Sequence, residues 1–166
     1  MADELYWRET YFILFQHERR PSAERVTAAL KDANCRFRLE NVTADESGLV
    51  QSLLVESEED RAAVEISYAT GHAVIEQNLE WAKELQKELS ADQLQDLIRS
   101  DARLDVAHFE HVKDGEGFGG MEEMGLDELD DVYDMLDPTC LLTVVETLSG
   151  LTGGLTFDPA AGEILD

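Results

Sequence analysis

An α+β fold, with helices layered on a mainly antiparallel sheet as a two-layer sandwich, is the architecture this 166-residue sequence predicts. Stretches with apolar residues at every second position alternate with stretches that repeat every three to four residues. Their order is strand, helix, hairpin, strand, helices, strand, helix, hairpin. Two strand pairs are joined by short polar turns, a connection open to antiparallel neighbours only. A chain of this length with 43% apolar residues, 11 Gly and 3 Pro can bury a real core. Residues 1–166 are therefore expected to form a single domain.

The first element is "LYWRETYFILF", Leu5 to Phe15. It ends in a continuous apolar and aromatic run too short for a typical helix, as in a central strand covered on both faces. Tyr6 and Trp7, nearer its start, are expected at the surface or at a subunit contact. "RPSAERVTAALKDAN" follows, with Pro21 and Ser22 as start signals and Val26, Ala29, Leu30 and Ala33 on one helical face. Phe37 and Leu39 alternate with charged residues, "TADESG" supplies a turn, and Leu49, Gln51, Leu53 and Val55 resume the alternation as a hairpin. This opening half fits a ferredoxin-like β-α-β-β unit. Val64, Ile66 and Tyr68 mark a further strand.

A long helix comes next, with Val74, Ile75, Leu79, Ala82, Leu85 and Leu89 on one arc and Trp81 at its margin. "SADQ", Ser90 to Gln93, has the form of a capping box that starts a shorter helix burying Leu94, Leu97 and Ile98. "ARLDVAHFEHV" returns to an extended pattern through Leu104, Val106, Phe109 and Val112. Residues 113–123, "KDGEGFGGMEE", form a Gly-rich acidic loop and the candidate internal boundary. Beyond it lie two helical patterns. The second, opened by Asp137 and Pro138, carries Leu141, Val144, Val145 and Leu148 to a stop at Gly150. "GGLTFDPAAGEIL" closes the chain as strand, turn, strand.

Charge sets the classes of partner. The net charge is -24, and it is unevenly spread: residues 1–112 hold 23 acids against 12 Lys plus Arg, whereas residues 113–166 hold 14 against one, Lys113. Such a surface repels phosphates and anionic lipid, which argues against nucleic-acid or membrane binding and for a basic protein as partner. "MADELYWRET" lacks the basic and apolar regions of a secretory signal, and Cys35 and Cys140 are too few and too far apart for a disulfide framework. The expected compartment is the cytoplasm.

The strongest local signal is "MGLDELDDVYDMLDP", Met124 to Pro138, with six carboxylates and no basic side chain. At helical spacing Leu126, Leu129, Val132, Tyr133 and Leu136 share one arc, and Asp127, Asp130, Asp131 and Asp134 share the opposite one. Pairs such as 127/131 and 130/134 place like charges one turn apart, at a cost of about 0.2–0.5 kcal/mol each. Together with Glu122 and Glu123 this stripe is the candidate docking surface for a basic protein, against the plainer reading of a solvated helix face or of general solvation in a high-salt cytoplasm. No register supplies the glycine of a calcium loop. "GEGFGG", Gly115 to Gly120, matches a dinucleotide-loop pattern, but its flanking glutamates would oppose the phosphates.

"HFEH" is the one place where two histidines and a carboxylate cluster. On a strand His108 and Glu110 share a face and His111 points away, so these two are the weak metal or acid/base candidates of a small hydrolytic or metal-dependent enzyme. The alternative is a partly exposed strand whose histidines pair with acids. Cys140 continues the apolar row of its helix and reads as a buried small hydrophobe. No cofactor is expected, and the sequence points first to a non-enzymatic interaction protein of inhibitor or immunity type.

Overall fold

The computed structural model describes residues 4–58, 61–112 and 139–165, and all statements below concern those residues. Seven strands form one antiparallel sheet: β1 (Glu4–Phe15), β2 (Arg38–Ala44), β3 (Val50–Ser57), β4 (Ala62–Thr70), β5 (Ala102–Val112), β6 (Leu155–Asp158) and β7 (Glu163–Leu165). Their spatial order is β2-β3-β4-β5-β1-β6-β7. Four helices accompany it: α1 (Ala23–Ala33), α2 (His72–Glu84), α3 (Ala91–Arg99) and α4 (Thr139–Thr152).

The α+β class and the antiparallel sheet are as the sequence predicts, and the helices are shared between the two faces. Alternation along β1 explains why. Ile13 and Phe15 join Val26, Leu30, Leu104, Val106, Leu141, Val144 and Leu148 in the larger core cluster, under α1 and α4. Leu14 joins Ala82, Leu85, Leu97 and Phe157 in a smaller cluster under α2 and α3. The apolar run at the end of β1 thus serves both layers, as expected of a strand flanked by β5 and β6.

The opening β-α-β-β run does not close as a ferredoxin-like unit. β1 pairs with β5 and β6, while β3 pairs with β2 and β4. Local hydrophobic pattern defines the strands, but pairing partners are chosen by long-range contacts that pattern does not encode.

Helix starts follow their sequence signals. Ser22 accepts from the Arg25 amide at 3.1 Å, and Ser90 with Gln93 forms the reciprocal capping box at 3.1 and 3.0 Å. The hairpin turn is held by Asp45 Oδ1, which accepts from the amides of Ser47 and Leu49, both at 2.9 Å. Arg20 ties this turn to the body: its guanidinium pairs with Asp45 at 3.1 Å, donates to Val50 O and lies 3.9 Å over the Tyr68 ring.

Three helical assignments shift. On α2, Ile75 and Leu79 are 36% and 41% exposed, while Asn78 is buried. Asn78 donates to Ser100 O at 2.8 Å, so it serves as a polar tie to the end of α3, and Trp81 stacks between Phe12 and Phe157. On α3, Ile98 is 51% exposed and only Leu97 is fully buried. α4 runs past Gly150 to Thr152 and ends at Gly153, whose φ of 65° suits the left-handed residue after a helix.

Candidate functional site

The strand β5 carries its core face through Ala102, Leu104 and Val106 to His108 and Glu110, each two residues on. The sequence expectation that His108 and Glu110 share a face is met. The expectation of a partly exposed strand there is not: His108 is 3% exposed and Glu110 9%. Phe109, which sequence alternation placed in the core, is only half-buried, on the other face.

Two further residues complete the cluster, and the means is a β-bulge. Along β1 and β5 the register slips once, so that Trp7 lies opposite Phe109 and Glu9 opposite His108, with Arg8 as the extra residue. The bulge brings both Arg8 and Glu9 to the His108 side. Arg8 Nε lies 3.3 Å from Glu110 Oε1, and Glu9 Oε1 lies 3.9 Å from His108 Nδ1. The latter distance is too long for a hydrogen bond, and neither imidazole nitrogen has a hydrogen-bond partner among the described residues.

Electrostatics follow from that geometry. Burial, reinforced by the Arg8 charge, lowers the His108 pKa to about 4, so the ring is neutral at pH 7. Burial and the neighbouring Glu9 raise the Glu110 carboxyl, with Arg8 acting against them. The cluster is thus a buried, neutral histidine beside an arginine–glutamate pair, set where β1, β4 and β5 adjoin; Val64 and Ala62 lie opposite His108 and Glu110 on β4.

Chemically, Glu110 is engaged by Arg8, and both ring nitrogens of His108 are buried from solvent. Among the described residues no group of three or more His, Cys, Asp or Glu side chains is placed to hold a metal ion. Cys140 is buried and Cys35 exposed, and neither is in a disulfide; the burial of Cys140 is in keeping with its sequence reading as a packing residue.

The acidic candidates Glu122, Glu123, Asp127, Asp130, Asp131 and Asp134, the Gly115–Gly120 loop, the Asp137–Pro138 helix start and the side chain of His111 lie outside the described residues. Their flanks are placed: β5 ends at Val112, opposite Glu4 of β1, and α4 begins at Thr139. Sequence reasoning missed Arg8 and Glu9 because an ordinary alternating register would put only one of them beside His108.

Compared with models of protein families, with curated proteins and with solved structures, the chain matches none. No helix among the described residues is long and apolar enough to cross a membrane.

Proposed function

We infer that this chain is a non-enzymatic interaction protein of the cytoplasm, of inhibitor or immunity type, which presents residues 113–137 to a basic protein partner. The observation that carries the reading is the charge of that segment: residues 113–137 hold 10 of the 37 acids and a single base, Lys113. A concentration of one sign on one segment steers a partner of the opposite sign and selects against like-charged competitors. Asp127, Asp130, Asp131 and Asp134 would form the contact stripe, with Glu122 and Glu123 at its edge.

A hydrolytic or metal-dependent enzyme built on His108 and Glu110 is the weaker reading, because both side chains are buried and Glu110 is paired with Arg8. The two readings separate in one experiment. Capture from the native cytoplasm is compared for wild type and for a variant with the four aspartates changed to Asn, at low and moderate salt. A basic protein retained by wild type, released by salt and lost in the variant supports the docking stripe. Equal capture by both proteins, or none, removes it and leaves the acidity as solvation.

A further inference from the structure

Away from the His108 cluster, a cavity of about 300 Å³ opens where the end of β1, the C-terminal turn of α3 and the α4–β6 connection meet. Arg19, Arg99, Gln16 and Asp96 line it together with the bare backbone of Gly153 and Gly154. We propose that this cavity binds a small oxyanion, a carboxylate or phosphate group on a compact molecule, held by the guanidinium groups of Arg19 and Arg99.

The donors are what distinguish the site. Both arginines are exposed, and neither guanidinium has a hydrogen-bond or ion-pair partner among the described residues, in a chain with 37 acids to 13 bases. Two arginines on the wall of one concavity bring two planar guanidinium forks, each able to bind carboxylate or phosphate oxygens bidentately. The hydroxyl protons on the wall are already committed: Ser100 Oγ donates to Asp96 O, and Thr152 Oγ1 donates to Leu148 O and accepts from the Gly154 amide. Gln16 adds a neutral amide, so the positive charge that recognises an anion comes from the arginines.

The glycines let their neighbours approach the backbone closely. A Cβ at residue 153 would lie 2.6 Å from Arg19 Nη1, and one at residue 154 would lie 2.5 Å from Leu14 O. Arg19 accordingly rests against the bare backbone that follows α4. Arg99 occupies the last turn of α3, and Arg19 lies by Gly153 just past α4, so each arginine also offsets the negative end of a helix. Asp96, on the same wall, opposes an anion. It restricts the site to ligands whose oxygens reach both guanidinium groups, and it predicts the sign of a third substitution.

The test is titration of the full chain with inorganic phosphate and, separately, with succinate, following amide chemical shifts of Ser100, Gly153 and Gly154. Saturable binding with a dissociation constant of about 1 mM or tighter is expected for one of the two probes, which tells phosphate from carboxylate chemistry. R19Q and R99Q should each weaken it at least tenfold, R99K should fall between R99Q and wild type, and D96N should tighten it several-fold. R25Q, on the outside of α1, should leave it unchanged. Because the substituted side chains are exposed, dispersed amide spectra are expected for every variant, and R99K keeps the charge if R99Q does not fold. The proposal is overturned by non-saturable shifts with both probes, by binding that survives both arginine substitutions, or by weakening in D96N.

Discussion

His108 shows what a single buried ring does to stability. Its pKa of about 4 lies below the ordinary histidine value of 6.5. Between those two pH values the unfolded chain binds a proton that the folded chain does not, so stability falls as pH drops through that window. The cost at its lower end is on the order of 3 kcal/mol. Replacing His108 by Leu should abolish this acid loss, and urea unfolding at neutral pH and near the foot of the window is the check. An unchanged acid dependence would place the proton elsewhere. His17 behaves in the opposite sense. Its ring Nδ1 lies 2.6 Å from Asp101 Oδ2, and that hydrogen bond with the Asp101 charge raises its pKa. The stabilisation is complete below the unfolded value and fades as pH rises through the elevated one. Asp101→Asn should return the His17 titration, followed by NMR, toward 6.5, and a midpoint that stays raised would show that Asp101 is not the cause. Neither residue's setting could be read from neighbours in sequence: Asp101 is 84 positions from His17, and Glu9 reaches His108 only through the bulge.

The Ser22 and Ser90 helix starts follow their capping signals, whereas α4 overruns the Gly150 stop and the buried faces depart from the sequence reading. The capping box at Ser90 and Gln93, the Asp45 turn and the Ser22 cap are local arrangements, complete within four residues, so the sequence contains all of their causes. The buried arc of α2 is not local. Asn78 takes the buried place that helical periodicity gave to Ile75 and Leu79, and its amide donates to the Ser100 carbonyl at the end of α3, 22 positions away. The α4–β6 connection yields a prediction of the same kind. A methyl group at residue 154 meets the Leu14 carbonyl of the central strand, which cannot swing aside without breaking sheet pairing. Gly154→Ala should therefore destabilise by about 1–3 kcal/mol, as overpacking does, and thermal unfolding measures it. Gly150→Ala, with open space around its Cβ inside α4, should stabilise slightly, on the order of 0.5–1 kcal/mol. A loss at both positions would mean that helix geometry, and not the Leu14 contact, sets the response.

At the scale of the whole molecule, the net charge of -24 acts against compactness and is relieved by counterions. Raising ionic strength toward 0.15 M, where the screening length is about 8 Å, should raise the melting temperature, and changing Asp127, Asp130, Asp131 and Asp134 to Asn should reduce that dependence. A salt response identical in the two proteins would assign the repulsion to acids outside this stripe. The α+β class, the order of strands and helices among the described residues, the Ser22 and Ser90 caps and the sign of the net charge were determined by the sequence alone. Each depends on local periodicity, short-range hydrogen bonding or summed charge, and these are properties of neighbouring residues or of composition. Tertiary structure alone decided that β1 lies between β5 and β6, that helices cover both faces, that a bulge gathers Arg8, Glu9, His108 and Glu110, and that Arg19 and Arg99 face one cavity. Those outcomes join residues as far apart as Phe12 and Phe157. They are set by which faces bury best against one another, a competition among long-range contacts that no stretch of sequence records.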